Sequence, residues 1–191
     1  MKITAFAASS SKNSINKMLV TYACGLLNAA DVEVLDLNDY ELPLFSVDKE
    51  EELGQAKLAI DFLAKIGECD ALVISFAEHN GSYSAAFKNL FDWCSRIEVK
   101  VWQHKPLVLL STSPGASGGA SVLAMALNSA PFFAGDVKAS LSIPSFYENF
   151  DLENRVMKND ELRAKLQSAV ESLIQGTINI KGQGNDRNYP N

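Results

Sequence analysis

The chain has 191 residues, is 47% hydrophobic and 21% charged, and carries a formal net charge of -6. That length fits one domain and that composition suits a soluble globular core. The acidic balance argues against nonspecific nucleic-acid binding, which depends on clustered Lys and Arg. Cys24, Cys69 and Cys94 are widely spaced and form no C-x-x-C pair, and His79 and His104 are the only two histidines. A disulfide framework, a thiolate zinc site and a His-rich metal site are set aside. No apolar stretch is long enough to span a bilayer, and the N-terminus enters a strand-like run without a signal-like segment. The expectation is a cytoplasmic protein that uses no membrane and no metal.

Residues 2–8 read as a buried strand. Residues 15–29 read as a helix, because Ile15, Met18, Leu19, Tyr22, Ala23, Leu26 and Leu27 recur at three- and four-residue steps. Ser14 is placed as its N-cap. Residues 32–37 make a second strand, and 38–47 a loop. Residues 49–67 read as one helix with Glu50, Glu51 and Glu52 in its first turn, where the macrodipole favours acids. Residues 71–76 are continuously apolar, as in a strand buried on both faces.

Residues 83–95 read as a helix, 106–111 as a fourth strand and 119–128 as another helix. Residues 137–143 alternate and make a fifth strand. A closing helix covers 160–174, and a polar tail runs from 179 to 191. Strands alternating with helices imply a parallel sheet with right-handed crossovers. The expected fold is a single α/β domain over residues 1–178. It is a flavodoxin-like three-layer sandwich with a five-stranded parallel sheet in the order 2-1-3-4-5.

Three polar loops follow three of these strands. Ligands of such sheets bind at the carboxyl ends of the strands, near the topological switch point. In the first loop, Ser9, Ser10, Ser11, Ser14 and Asn16 surround a helix start, a setting for phosphate. Neither a Walker A sequence nor G-x-G-x-x-G is present. In the second, Glu78, His79, Asn80 and Gly81 lie at the crevice mouth, and Gly81 permits a positive φ. Glu78 and Asn80 are as readily turn-holding residues as ligand contacts. In the third, Pro114-Gly115 signals a turn and Gly118-Gly119 a helix start, with backbone N–H groups for a flat ring or a polyol chain. No G-x-S-x-G elbow or Ser–His–Asp pattern competes. Phe87 and Phe91 read as core, and Trp93 as a subunit contact.

These three loops resemble those of the NADPH-dependent FMN reductase family, which includes flavin, quinone, azo-dye and chromate reductases. The family's first loop, G-S-x-R-x-x-S-x-N, is matched by Ser9, Ser14 and Asn16. Its second, P-E-Y-N-G-S, is matched by Glu78, Asn80, Gly81 and Ser82. Its third, S-x-x-P-G-x-x-G-G, is matched by Ser111, Pro114, Gly115, Gly118 and Gly119. The departures are Ala8, Ser11, Ala77 and His79, where the family has Gly, Arg, Pro and Tyr. With Ser11, a charge-assisted bond worth about 1.5–3 kcal/mol is lost.

The resemblance implies an FMN-dependent enzyme that passes hydride from NADPH or NADH, through FMN, to a small-molecule electron acceptor. It implies FMN contacts from Ser9, Ser11, Ser14, Ile15, Asn16, Glu78, His79, Asn80, Gly81, Ser82, Ser113, Pro114, Gly115, Gly118 and Gly119. It assigns no strictly catalytic side chain. It also implies a homo-oligomer, dimer or tetramer, with residues 91–93 and 97–102 as candidate contacts. The alternative is an FMN-binding electron carrier or interaction module without reductase turnover, or a domain of this fold that has lost FMN.

Overall fold

A computed structural model describes residues 1–28 and 30–182. Its main sheet has five strands: β1 (Lys2–Ala8), β2 (Asp31–Leu35), β3 (Ala71–Phe76), β4 (Pro106–Thr112) and β5 (Asp136–Ile143). Their spatial order is β2-β1-β3-β4-β5, and every neighbouring pair is parallel. The expected fold class and strand order are therefore those observed.

The seven α-helices of the described residues are α1 (Ile15–Gly25), α2 (Val47–Leu53), α3 (Lys57–Glu68), α4 (Ala85–Ile97), α5 (Ala120–Ser129), α6 (Phe146–Asn149) and α7 (Asp160–Gly182). Successive side chains of a strand point to opposite faces, and β3 obeys this. Leu72, Ile74 and Phe76 enter one core with Phe62, Phe87, Trp93 and Trp102, while Ala71 and Val73 enter the other with Leu19, Val20, Phe146, Leu166 and Val170. Helices α3, α4 and α5 cover the first face, and α1 and α7 the second.

Several expectations are corrected. The helix expected over 49–67 is two helices, α2 and α3. Gly54 separates them at φ 69 and ψ -155, a conformation that residues with a Cβ rarely adopt. α1 ends at Gly25, and residue 29 lies outside the described residues. α7 continues past 174 to Gly182, and the part of the expected tail from 183 to 191 lies outside the described residues. Two short antiparallel hairpins, Glu78–His79 with Ser82–Tyr83 and Phe150–Asp151 with Val156–Met157, were not anticipated.

Trp93 is core within the chain, 1% exposed, rather than a free contact surface. The loop before α2 folds over it. Its Nε1 donates to the carbonyl of Pro43 at 2.8 Å, and Phe45 meets it edge-on. Asn89 ties down the same loop, donating to the carbonyls of Leu42 and Pro43 and accepting from the N–H of Phe45. Of the 97–102 segment, Val101 and Trp102 are buried while Val99 is exposed.

All three cysteines are free and buried. Burial pushes the thiols of Cys24 and Cys94 up to about 12 and raises that of Cys69. The thiolate is the reactive form. Native protein is therefore expected to give almost no colour with a thiol reagent at pH 8, and three equivalents after denaturation. A fast-reacting equivalent in the native state would contradict this burial.

Candidate functional site

Sheet register brings the three loops together. Ala8 at the end of β1 pairs with Phe76 at the end of β3, and Phe76 pairs with Ser111 near the end of β4. Neighbouring strands lie about 4.8 Å apart, so the three loops start within roughly 10 Å along one edge. β1 is flanked by β2 and β3, so the chain leaves it in opposite directions and opens a crevice at that edge.

The first loop is a tight turn. The Ser9 N–H donates to the carbonyl of Ala7, the Ser11 N–H to Ser9 Oγ at 3.2 Å, and the Ser14 N–H to the carbonyl of Ser11. Ser14 is the N-cap of α1 as expected, its Oγ accepting from the N–H of Lys17 at 3.2 Å. The N–H groups of Ile15 and Asn16 have no partner available inside the helix. The neighbouring stretch Ser10, Ser11, Lys12 and Asn13 is exposed. Lys17 is committed elsewhere. Its ammonium bonds Asp36 and holds that carboxyl below the usual carboxylate range.

Asn16 is 3% exposed, and its amide bonds protein. Oδ1 accepts from Ser75 Oγ at 2.8 Å and from the Thr112 N–H at 3.1 Å, while Nδ2 donates to the Thr112 carbonyl at 3.2 Å. It pins the start of α1 to the ends of β3 and β4. Its side chain is thus a positioning group for the first and third loops.

The second loop is a hairpin. Asn80 at φ 53 and Gly81 at φ 75 form its turn, the arrangement that favours Asn-Gly between paired strands. His79 and Ser82 face each other across it, and both His79 and the turn are exposed. Glu78 does not hold the turn. Its Oε2 accepts from the Val122 N–H of α5 at 3.0 Å, a carboxylate at a helix N-terminus. Ser84, which sequence reading overlooked as a site residue, caps α4 and donates to the carbonyl of Ala8 at 2.8 Å. It fastens the second loop to the first, and a Ser just before a periodic apolar run was the available signal. Glu78→Ala is expected to cost about 1 kcal/mol by freeing the Val122 N–H, with Glu78→Gln less harmful. Urea denaturation measures both, and an unaffected Ala variant would contradict the bond.

In the third loop Pro114 and Gly115 are exposed, and Ser113 is half-buried. The Gly115 carbonyl accepts from the N–H groups of Gly118 and Ser145, and the Ser113 carbonyl from that of Phe146. Gly118 and Gly119 are buried at φ 60 and φ 77. The Gly118 carbonyl accepts from Ser111 Oγ and Ser142 Oγ. These two glycines therefore pack onto strand ends, while Ser113 to Ser117 supply the loop's accessible backbone.

A cleft of about 440 Å³ opens beside the first loop, between Ser10, Asn38, Tyr40, Ala85 and Asn89. A separate apolar cavity of about 200 Å³ lies under the hairpin, lined by Phe76, Tyr83, Phe87, Phe91, Trp102 and Phe133. No residue of the first or third loop lines it. Among the described residues no cluster of three His, Cys, Asp or Glu side chains suited to a metal occurs, and no helix is long and apolar enough to cross a membrane.

The model of a protein family described as NADPH-dependent FMN reductase matches residues 1–148. An NADPH:quinone oxidoreductase of Arabidopsis thaliana is 32% identical over 125 residues, a match covering 63% of this chain and 62% of that protein. An NAD(P)H-dependent FMN reductase of Pseudomonas aeruginosa is 27% identical over 187 residues, covering 95% of this chain and 98% of that protein. Among solved structures, a flavoenzyme NAD(P)H:(acceptor) oxidoreductase from Paracoccus denitrificans superposes with a TM-score of 0.72. It is 22% identical, and the match covers 91% of this chain and 95% of that one.

Proposed function

Because this chain belongs to the NADPH-dependent FMN reductase family, we propose that it is an FMN-dependent NAD(P)H oxidoreductase that reduces a small acceptor. The observation that carries this reading is the alignment of three polar loops on one sheet edge, one of them at the start of α1. The names of its relatives, quinone and FMN reductases, support the same class.

The residues suit FMN. Ser9, Ser11 and Ser14 offer hydroxyls, and Ile15 and Asn16 offer first-turn N–H groups, a donor set for a phosphate. The exposed turn of the hairpin at His79 to Gly81 and the accessible backbone at Ser113 to Gly115 offer donors and acceptors that support contact with the ring and its polyol chain. Bound FMN supplies the hydride chemistry. The protein orients it through neutral donors, with Glu78 and Asn16 keeping the loops in register. No side chain here has to act as a nucleophile, so the acceptor need only reach the exposed ring face. That suits flavins, quinones, azo compounds or metal oxyanions, with NADPH or NADH as donor.

We take residues 1–178 as one FMN-binding domain that works as a homo-oligomer. Light scattering after size exclusion tests this, and a monomer would refute it.

The visible spectrum before and after FMN addition and desalting tests the main reading. Retained flavin absorbance, with NAD(P)H consumption above that of free FMN, is expected. Failure to retain flavin, or turnover no faster than free FMN, would overturn it.

A further inference from the structure

The apolar cavity under the hairpin takes no part in the reductase reading, because no residue of the first or third loop lines it. Its volume is about 200 Å³. Protein interiors are close-packed, so a void of that size among α4, α5 and the sheet is unusual. An apolar cavity of about 150 Å³ already accommodates benzene. Two buried alanines, Ala126 and Ala130, leave the space open on the α5 side. The rest of the wall is largely aromatic. Phe91 meets Phe133 edge-on at 4.7 Å and Trp102 at 5.3 Å. Phe87 meets Tyr83 at 5.1 Å and Phe76 at 5.4 Å. Tilted and edge-on rings at these spacings suit one more aromatic ring.

The polar groups of the lining can be accounted for one by one. Lys88 and Asp92 pair with each other at 2.7 Å. Ser95 Oγ donates to the carbonyl of Asp92 at 2.9 Å. Ser129 Oγ donates to the carbonyl of Ala126 at 3.2 Å. A hydroxyl has a single proton, so the 3.1 Å bond between Tyr83 Oη and Ser129 Oγ is donated by Tyr83. Burial raises the pKa of Tyr83, which keeps that proton in place at neutral pH. Both hydroxyl protons at this wall are therefore spent. Among the described residues nothing donates to Tyr83 Oη. The wall offers a guest an acceptor and no hydroxyl donor.

We propose that this cavity binds a small phenol, a single benzene-sized ring whose hydroxyl donates to Tyr83 Oη. The aromatic wall and the two alanines fit the ring. The spent protons of Tyr83 and Ser129 select a guest with a donor over one with a carbonyl. The inference stands apart from the flavin reading and does not require it.

The test uses the full chain, with and without added FMN. Phenol, toluene and benzaldehyde are titrated by ligand-detected NMR. Toluene has the size of phenol and no donor, and benzaldehyde offers only an acceptor. Saturable binding of phenol and toluene is expected, with a Kd for phenol on the order of 1 mM or tighter. Benzaldehyde should bind more weakly than phenol, and FMN should displace neither phenol nor toluene. Tyr83→Phe keeps the ring and removes the acceptor. Losing one neutral hydrogen bond corresponds to roughly a tenfold loss. The preference for phenol over toluene should therefore fall about tenfold in Tyr83→Phe. Ala126→Leu fills the cavity and should abolish binding of both. The proposal is overturned if the wild type fails to bind phenol or toluene, or binds benzaldehyde as tightly as phenol. It is equally overturned if the preference is unmoved in Tyr83→Phe, if binding survives Ala126→Leu, or if FMN displaces the probes. None of these results bears on flavin retention, which the visible spectrum decides separately.

Discussion

Replacing Asn16 with alanine is expected to lower stability by about 2–4 kcal/mol and to weaken FMN binding with it. The amide is 3% exposed and makes three hydrogen bonds, to Ser75 Oγ and to both backbone groups of Thr112. Truncation removes the partner of a Ser75 hydroxyl that is wholly buried and of a Thr112 N–H that is nearly so. Each orphaned group costs about 1–3 kcal/mol, far more than one exposed hydrogen bond is worth. The small cavity left behind adds to this. For a protein of this size the loss corresponds to a Tm lower by roughly 5–15 °C. The functional consequence follows from the same bonds. Asn16 ties the first loop to the end of β4, so its loss lets the first and third loops drift apart. Thermal unfolding and FMN titration on one preparation check both effects. A Tm within a degree or so of wild type would mean that the amide is not what holds α1 to the sheet edge.

Gly118→Ala should be at least as damaging, and for a reason that a neighbouring comparison isolates. Gly118 has φ 60, and a Cβ there would stand 2.4 Å from Ser142 Oγ and 2.8 Å from the carbonyl carbon and oxygen of Ile143. The serine hydroxyl can rotate away, but the Ile143 backbone is the end of β5 and cannot. Left-handed strain alone costs on the order of 1–2 kcal/mol. The clash adds typically 1–3 kcal/mol, for a total of about 3–5 kcal/mol. Gly81 is the control. Its φ is 75, yet nothing lies within 4 Å of the added Cβ. Gly81→Ala should therefore show the strain without the clash, at about 1–2 kcal/mol. Chemical denaturation of both variants decides the matter. Equal losses would mean that the space around Gly118 yields and that the third loop is less tightly seated than its bonds imply.

Much of this architecture is legible in the sequence. The apolar run 71–76, the helical spacing from Ile15 and the Ser14 cap are local signals, each contained within one element. Alternation of strands and helices then restricts the topology, because parallel strands need right-handed crossovers. The three loops could be placed on one edge for the same reason, and their residue types pointed to phosphate and a flat ring. Gly54 was visible too, but helical periodicity on both sides of it hid the break.

The division of labour among those residues was not readable. Asn16 finds its partners 59 and 96 positions away, and Glu78 finds Val122 44 positions away. A site residue that binds ligand and one that binds another loop look alike in a one-dimensional string. Trp93 reads as a surface aromatic until the loop before α2 folds over it and accepts its N–H. Periodicity and local capping, read along the chain, yield the five strands, most of the helices and the sheet order, but not the break at Gly54 or the two short hairpins. The tertiary structure alone decided which polar groups at the sheet edge are spent on one another and which stay open, because hydrogen bonds between distant segments form only once the sheet has closed.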